Sequence, residues 1–338
     1  MPATSERQER YGAAVEKAST WLANAQRPDG SFGPDAGTLG DVETAAICFQ
    51  LTGHPGHAYR LLRHIRATYL RVDGSFYQPA DEGTLAEWLY APSWTVAGAH
   101  LNGFFDLSLP TMDAILSFQD PKTGGLFGNP QVQRRGEGII VPTVTAVAGE
   151  AAIITGRLTA ARRIGDYFLQ LIASQPDLDQ RFYPFYDTRY GLITEGIPEL
   201  GPTYFGTFER RAAGQHYWLP GFLMAFLADL HLATGEKKYL DGARTIFEFG
   251  QGFHDDLYVN TLNHKYLWGC ARLYHATGDV RHLETAMRIA DFLVRVQEPE
   301  GTWWHSGFIP VREQQAPGWT IDITSQFCIW LVRLLQVL

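Results

Sequence analysis

One unit recurs about six times along this chain of 338 residues: a helix with polar flanks, a glycine-punctuated turn, and a more apolar helix. The turn appears twice in nearly the same letters. Residues 26–32 read Gln-Arg-Pro-Asp-Gly-Ser-Phe, and residues 297–303 read Gln-Glu-Pro-Glu-Gly-Thr-Trp. A repeat of this length is typical of one supersecondary unit that is copied until its neighbours bury it. The repeat therefore constrains the architecture strongly and the chemistry weakly.

A second signature marks the other end of each unit, where an apolar run closes on Thr-Gly. It occurs at Gly53, Gly156, Gly235 and Gly278. Glycine at this place is typical of a helix C-terminus, where the chain takes a left-handed conformation. Each Thr-Gly pair therefore predicts a short turn between two helices.

Apolar residues at helical spacing predict twelve helices in strict alternation. The predicted outer helices span residues 10–26, 57–71, 109–119, 158–173, 236–250 and 280–297, and the predicted inner helices span residues 41–52, 92–104, 141–155, 216–233, 260–276 and 319–337. Six such hairpins predict one all-α domain over residues 1–338, an (α/α)6 toroid. The competing fold is an open right-handed solenoid, whose ends need polar caps. The last helix is apolar up to Leu338, which favours closure of the ring.

The connections between the predicted helices are unequal in length. Turns from an inner to an outer helix are short, whereas the returns are long and rich in glycine, proline and aromatic residues. The longest return, residues 175–215, includes Tyr204 and Phe205. Long loops within a compact domain are usually functional. We expect the long loops on one face, with residues 175–215 over the mouth of a cavity at the N-terminal ends of the inner helices.

The charge balance argues against nucleic acid as a partner. The chain has 28 basic and 36 acidic side chains, without the basic excess that phosphate binding requires. The N-terminus is polar, and no apolar window approaches the length of a membrane span. The three cysteines are far apart and lack metal-ligand spacing. We expect a cytoplasmic protein without a transmembrane segment; its oligomeric state stays open.

Two segments carry a family resemblance. Residues 17–32 read Lys-Ala-x-x-Trp-Leu-x-x-x-Gln-x-x-x-Gly-x-Phe, and residues 288–303 read Arg-x-x-x-Phe-Leu-x-x-x-Gln-x-x-x-Gly-x-Trp. Both resemble the QW motif of squalene-hopene and oxidosqualene cyclases, with Phe32 in place of the final Trp. The resemblance implies the toroid superfamily of terpene cyclases and protein prenyltransferase β-subunits. The motif is structural, so it supports the fold rather than a reaction.

The chain departs from the catalytic motifs of that superfamily. Residues 41–45, Asp-Val-Glu-Thr-Ala, keep two carboxylates but not the Asp-x-Asp-Asp motif of the class II cyclases. An Asp-Asp-x-x-Asp motif is missing from the sequence, and Asp322 and Cys328 are not spaced as zinc-dependent prenyltransferases require. The reaction therefore stays open.

A second resemblance points to carbohydrate enzymes. Residues 233–243 and 276–286 are similar to hairpins of six-hairpin carbohydrate enzymes. Residues 263–268, Asn-His-Lys-Tyr-Leu-Trp, resemble the Asn-His-x-Tyr-Trp string of toroidal alginate lyases, with one extra residue before Trp268. This resemblance implies that His264 acts as a base and that Asn263 lies beside a uronate carboxylate.

Three carboxylates are candidates for acid–base work. Asp41 begins the first inner helix, where its alternative role is to cap that helix. Asp322 lies one turn into the last inner helix, where structural pairing and catalysis are about equally good explanations. Glu209 lies in the longest loop before two arginines, and its alternative role is that of a solvated surface charge.

Histidines and aromatic residues complete the candidate site. His216 and His264 begin inner helices and should face the mouth, although a lone histidine is more often a hydrogen-bonded core residue. No histidine pair has zinc spacing, so we expect neither a metal nor a cofactor. Aromatic rings at the mouth would line a substrate site and shield cations or stack on sugars. With Asn263, the substrate-binding candidates are Trp94, Tyr204, Phe205, Tyr217, Trp218, Trp268, Trp303, Trp304 and Trp319.

These observations favour a terpene-cyclase-like enzyme. It would cyclise, isomerise or dehydrate an isoprenoid or similarly apolar small molecule by acid–base chemistry, without metal. In this hypothesis Asp41 or Asp322 donates a proton and His216 or His264 removes one. The alternatives are a carbohydrate lyase or hydrolase on acidic sugars, and a toroid that binds a ligand without catalysis.

Overall fold

The computed structural model describes residues 4–76, 88–196, 207–307, 309 and 311–338. These ranges contain thirteen α-helices and five two-residue β-strands. The helices are α1 (Thr4–Ala25), α2 (Ala45–Leu51), α3 (Pro55–Thr68), α4 (Tyr90–Leu101), α5 (Phe105–Leu116), α6 (Pro130–Arg135), α7 (Pro142–Ile154), α8 (Leu158–Ala173), α9 (Trp218–Thr234), α10 (Lys237–Gly250), α11 (His264–Thr277), α12 (Val280–Arg295) and α13 (Pro317–Leu335). The strands are β1 (Ile139–Ile140), β2 (Arg181–Phe182), β3 (Tyr186–Asp187), β4 (Gly191–Leu192) and β5 (Phe208–Glu209).

Twelve of the helices form two concentric rings. The inner ring runs α2, α4, α7, α9, α11 and α13, and each helix packs against the next. The last helix, α13, also packs against α2, so the ring closes. Helices α1, α3, α5, α8, α10 and α12 form the outer wall, and α6 is a short addition within a loop. The (α/α)6 toroid predicted from the hairpin repeat is confirmed, and the open solenoid is not observed.

Burial explains the division between the rings. Inner helices are buried on most sides; α7 is buried from Pro142 to Ala152 without interruption. Outer helices carry one apolar stripe, such as Ile289, Ala290 and Leu293 of α12, and keep charged residues on the other side. An amphipathic helix buries one stripe, whereas a helix that is apolar all round must be enclosed.

Several predicted helix bounds differ from the observed ones. Helix α2 begins at Ala45 rather than at residue 41, because residues 41–44 form turns. Helix α5 begins at Phe105 rather than at residue 109 and holds Pro110 in its interior. The predicted start at residue 109 places Pro110 in the first turn, which is the more common position of proline in a helix. The strands were not predicted, since each is only two residues long.

The glycine turns between inner and outer helices are confirmed. Gly53, Gly156, Gly235 and Gly278 have φ values between 68° and 79°. These values lie in the left-handed region that glycine adopts without steric penalty. The chain can therefore reverse within a few residues at this face and keep its long connections for the other one.

Three turns that begin with glutamine tie the hairpins together. In each, the glutamine amide Nε2 donates to a carbonyl within its own turn and to a carbonyl of the next outer helix. The acceptors are Gly30 and His57 for Gln26, Gly124 and Ala160 for Gln119, and Gly301 and Ala14 for Gln297, at 2.9–3.2 Å. Since Ala14 belongs to α1, the Gln297 turn joins the last hairpin to the first.

The long connections lie at the N-terminal ends of the inner helices, as predicted. Residues 174–217 connect α8 to α9 and contain β2 to β5. Strand β2 pairs with β5, and β3 pairs with both β1 and β4, so the connection is held at several points. This loop face is the one on which the candidate site lies.

Candidate active site

Two inner helices carry functional side chains toward the axis of the toroid at a spacing of three or four residues. Helix α11 carries His264, Trp268 and Arg272, and helix α13 carries Asp322, Gln326, Trp330 and Arg333. Four residues advance an α-helix by about 6 Å. The interior is therefore layered, with polar groups near the loop face, tryptophans in the middle and charged groups near the opposite face.

The polar layer contains a chain of three hydrogen-bonded side chains. His264 is 1% exposed, and its Nδ1 lies 2.8 Å from the carbonyl oxygen of Thr261. Its Nε2 lies 3.1 Å from Oε1 of Gln326. The amide Nε2 of Gln326 lies 2.8 and 2.9 Å from the two carboxyl oxygens of Asp322. We call His264, Gln326 and Asp322 the proton relay.

Burial shifts both ends of the proton relay toward their neutral forms. Burial raises the pKa of the Asp322 carboxyl to about 7, opposed by the Gln326 hydrogen bonds and the Lys265 charge, with Asp41 adding to the rise. Burial also lowers the pKa of His264 well below its usual range, and the charge of Lys265 lowers it further. Charged forms are disfavoured because the surroundings hydrate them poorly.

The hydrogen-bond pattern of the proton relay fits a single shared proton. The Thr261 carbonyl only accepts, so Nδ1 of His264 carries a hydrogen. With Oε1 of Gln326 facing Nε2, the pattern corresponds to a His264 protonated at both nitrogens and an Asp322 carboxylate that accepts from the amide N–H. A half-turn of the amide reverses both bonds, leaving His264 neutral and Asp322 protonated. One proton can therefore rest at either end, and burial favours Asp322.

Other titratable groups surround the proton relay. His305 is 3% exposed, and its Nδ1 lies 3.4 Å from the hydroxyl of Thr261. Burial lowers its pKa to about 3, with Lys265 and then His216 adding to the effect. The Lys265 ammonium lies 5.2 Å from the ring centroid of Phe222. A neutral imidazole and a cation thus lie beside the acid.

Asp322 is the member of the proton relay that reaches toward the mouth, because it is partly exposed whereas His264 and Gln326 are buried. Asp41 lies close to it. The carboxylate of Asp41 accepts from the backbone N–H and hydroxyl of Thr38 at 2.9 and 2.7 Å. It packs so closely against Gly318 of α13 that a β-carbon there would overlap it. The structure therefore brings two of the predicted carboxylates together, and neither of them caps α2.

The third predicted carboxylate lies elsewhere. Glu209 is on the surface in β5, where its carboxylate forms an ion pair with Arg181 at 3.1 Å. Asn263 is fully buried, and its polar atoms bond to main-chain groups: Oδ1 accepts from Tyr217, and Nδ2 donates to Asp256 and Leu257. These contacts fix the start of α11 next to the start of α9. His216 precedes α9 and is partly exposed.

The predicted aromatic residues fall into different surroundings. Trp303 is buried and donates from Nε1 to the Leu293 carbonyl of α12, while Trp304 donates to the Ile309 carbonyl. Trp319 is 43% exposed, with its ring 6.0 Å from that of His305, so it flanks the mouth. The rings of Trp218 and Phe222 are 6.2 Å apart. Buried Tyr217 donates from its hydroxyl to Asp256. Tyr204 and Phe205 lie outside the described residues.

Three tryptophans separate the polar layer from the charged layer. Trp268 and Trp330 stack with ring centroids 4.6 Å apart, and Trp94 lies 5.7 and 5.8 Å from these two rings. We call these residues the tryptophan layer. It forms an aromatic floor beneath the proton relay.

The sequence analysis did not select His305, Lys265 or Gln326. Gln326 follows Asp322 by four residues, so helical spacing could have identified it. Lys265 adjoins His264 but has no distinctive motif. His305 belongs to a loop that returns over α11, and only the tertiary fold brings it to Thr261.

In the ranges that the structure describes, no three His, Cys, Asp or Glu side chains lie close enough together to hold a metal ion. Of the helices described above, none combines the length and the apolar character that crossing a bilayer requires.

Comparisons with known proteins place the fold among toroidal enzymes. No protein-family model and no curated protein sequence matches the chain. A solved D-mannose isomerase matches with 14% identity and a TM-score of 0.72, covering 100% of both chains. A GH76 α-mannanase from Bacteroides thetaiotaomicron matches with 11% identity and a TM-score of 0.65, covering 96% of this chain and 95% of its own.

A third match is a type II terpene cyclase from Scytonema in complex with geranylgeranyl dihydroxybenzoate. It has 12% identity and a TM-score of 0.61, and the match covers 99% of this chain and 100% of its own. At these identities the likeness concerns the fold. The chain therefore has the α/α toroid fold that terpene cyclases share with carbohydrate enzymes, as its repeats indicated.

Proposed function

We propose that this chain is an enzyme that isomerises a small hydroxylated carbonyl compound, such as an open-chain sugar, by proton transfer. The observation that carries the proposal is the proton relay, in which Gln326 links buried His264 to mouth-facing Asp322 by hydrogen bonds. A shared proton in a poorly hydrated site suits a group that must both accept and donate a proton during one turnover.

The residues divide the reaction as follows. Asp322, as a carboxylate, takes the proton from the hydroxyl-bearing carbon beside the carbonyl. The C–H electrons form the carbon–carbon double bond of an enediolate, whose oxygen takes up the carbonyl electrons. The proton then returns to the neighbouring carbon, and the hydroxyl proton moves between the two oxygens, so there is no net oxidation. A pKa of about 7 for Asp322 suits both directions at neutral pH.

Neighbouring groups support the charged intermediate. The Lys265 ammonium, which acts on Asp322, His264 and His305, is placed to offset the negative oxygen of an enediolate. The exposed ring of Trp319 offers a stacking surface at the mouth. Two of the structural matches are named as a D-mannose isomerase and an α-mannanase, and both names indicate sugar substrates. These names support sugars as the substrate class.

A second candidate is proton-initiated cyclisation or isomerisation of an isoprenoid, with Asp41 or Asp322 as the acid. The tryptophan layer favours it, because stacked indole rings stabilise carbocations. The terpene cyclase match is consistent with it. We rank it second because a carboxyl with a pKa of about 7 is a weak acid for protonating an alkene. A uronate lyase ranks lower, since the Asn263 amide is already bonded to main-chain groups.

Deuterium exchange tests both candidates in one format. The purified chain is incubated in D₂O with D-mannose, D-fructose or geranylgeraniol, and deuterium in carbon-bound positions is followed by NMR and mass spectrometry. We expect exchange at the carbons beside the carbonyl of a sugar. The Asp322→Asn variant should lose activity by about 100- to 10,000-fold, as removal of a general acid–base does. Exchange confined to geranylgeraniol would overturn the sugar proposal in favour of the second candidate.

Two further variants test the assignment to the proton relay. Gln326→Leu removes the hydrogen bonds between His264 and Asp322 but keeps both of those residues. We therefore expect a smaller loss of activity than for Asp322→Asn, together with a shifted pH profile of activity. Asp106→Asn is the matched control, because Asp106 lies on the surface in an ion pair with Arg66. If Asp322→Asn and Asp106→Asn retain equal activity, the relay is not the catalytic group. Binding without exchange for every substrate would indicate a non-catalytic toroid.

A further inference from the structure

A cavity lies beneath the tryptophan layer, at the face opposite the loops. Its volume is about 370 Å³, within the roughly 300–1,000 Å³ that is usual for small-molecule sites. Apolar side chains near the C-terminal ends of the inner helices form most of its wall. Leu101 of α4 and Leu232 of α9 stand at its rim, each 41% exposed. The tryptophan layer separates this far cavity from the proton relay.

The charged layer forms the polar part of the far cavity. Asp229 of α9 and Arg272 of α11 form an ion pair. Glu150 of α7 is 6% exposed, and burial together with the Asp229 charge raises its pKa well above the usual range. Burial and the Asp229 charge therefore favour the neutral form of Glu150. Burial lowers the pKa of Arg333, yet a guanidinium remains protonated. With Glu150 in its neutral form, Arg272 and Arg333 face the single carboxylate of Asp229.

Three buried polar atoms of the cavity wall have no hydrogen-bond partner within the described part of the chain: Nε1 of Trp94, Nε1 of Trp330 and Oε1 of Glu150. These side chains are 4%, 2% and 6% exposed. An indole N–H can only donate, and a buried donor without an acceptor is unfavourable. The wall therefore combines these two donors with the guanidinium of Arg333, whose Nη1 donates to the neutral side chain of Gln336 at 3.2 Å.

We propose that the far cavity binds a small carboxylate with an apolar body, such as an aryl-substituted or medium-chain acid. The carboxylate accepts from Arg333 and from the indole N–H of Trp330, which lies one turn away on the same helix. The apolar body packs against the leucine and isoleucine walls. An ammonium ligand would leave both indole donors unmet, and a neutral ligand would leave the Arg333 charge unmatched. The inference does not depend on the proposed function.

Binding is measured by calorimetry with three matched probes: hexanoate, hexanamide and hexylammonium. Indole N–H signals in ¹⁵N-labelled protein report the location, with the Trp94, Trp268 and Trp330 signals assigned from single Trp→Phe variants. We expect hexanoate to bind at least about 10-fold more tightly than hexanamide, because a hydrogen bond to a charged group is the stronger one. The Trp94 and Trp330 signals should shift.

Variants separate a ligand site from a structural role. Arg333→Gln should weaken hexanoate binding by about 10- to 100-fold and abolish the preference over hexanamide. Arg157→Gln, a surface arginine paired with Asp113 outside the cavity wall, is the control and should change nothing. Leu101→Trp narrows the rim without altering any charge and should weaken both probes, which keeps the test valid if Arg333→Gln unfolds.

Several outcomes would overturn the proposal. One is hexanoate binding that is absent at 10 mM or unaffected by Arg333→Gln; Arg333 would then only offset the negative ends of the inner helices. Preferential binding of hexylammonium would assign the site to cations. Signal changes in tryptophans other than Trp94, Trp268 and Trp330 would move binding away from the far cavity.

Discussion

Replacing Asp322 by asparagine should stabilise the folded chain at high pH and leave its stability at low pH unchanged. The Asp322 carboxyl titrates near 7 in the folded chain and near 3.8 when unfolded. Between these values the folded chain binds more protons than the unfolded chain, so stability falls as pH rises. Asparagine cannot ionise, and the variant therefore escapes this loss.

The size of the stabilisation follows from the difference between the folded and unfolded pKa values of Asp322. Each pH unit is worth about 1.4 kcal/mol, so the interval of about three units corresponds to at most about 4 kcal/mol. Asp322 is partly exposed and is linked to His264 through the Gln326 amide. We therefore expect about 2 kcal/mol at pH 8, or about 3 °C in melting temperature for a chain of this length.

The histidines act in the opposite direction. Burial lowers the folded pKa of both His264 and His305, so their contribution to stability is complete above pH 6.5 and is lost as pH falls toward the folded pKa, about 3 for His305. The difference between variant and wild type removes most of this background. Scanning calorimetry at pH 4, 6 and 8 measures it, with Asp106→Asn as control. A difference that is independent of pH, or one that favours the wild type at pH 8, would refute the assignment of a raised pKa.

Five other variants test the stability of the fold by urea unfolding. We expect Gly30→Ala to lower the unfolding free energy by about 3 kcal/mol and Gly53→Ala to lower it by about 1 kcal/mol. Both glycines have positive φ, but only Gly30 packs against a neighbouring carbonyl. Equal losses would contradict this explanation. Gln297→Ala removes one hydrogen bond to Ala14 of α1 and one within its own turn, so we expect a loss of about 1–3 kcal/mol in unfolding free energy and faster hydrogen exchange in α1. Asp229→Asn leaves Arg272 unpaired and should lose about 3 kcal/mol. Because burial raises the pKa of Glu150, we expect Glu150→Gln to lower the unfolding free energy by less than about 1 kcal/mol. A larger loss would show that Glu150 is ionised.

The alternation of inner and outer helices and the closed ring could be predicted from the sequence, because both depend on patterns of residues that are near one another in the chain. Apolar spacing distinguishes an enclosed inner helix from an outer helix with one stripe, and glycine marks the short turns. The bounds of α2 and α5 were less accurate. Residues 41–44 form turns in which Asp41 bonds to Thr38, and Pro110 is held within α5, although propensity rules place proline at a helix start.

The candidate site was only partly visible in the sequence. Asp322 was selected because an acid in an apolar helix needs a partner, and His264 because a histidine at the start of an inner helix should face the mouth. Nothing local indicates that Glu209 pairs with Arg181, nor that the Asn263 amide bonds to main-chain groups at the starts of two helices. Such partners are distant in the chain and are set by packing.

By itself, the sequence determined the repeat, the inner and outer helices and the face that carries the long loops, since each depends on the order of nearby residues. The tertiary structure alone decided that His264 meets Asp322 through Gln326, and that His305 lies beside Thr261. It also decided that three tryptophans lie together between the proton relay and the far cavity. Hydrogen bonds, burial and the resulting pKa shifts depend on which side chains from distant parts of the chain come into contact. Closure of the ring determines these contacts.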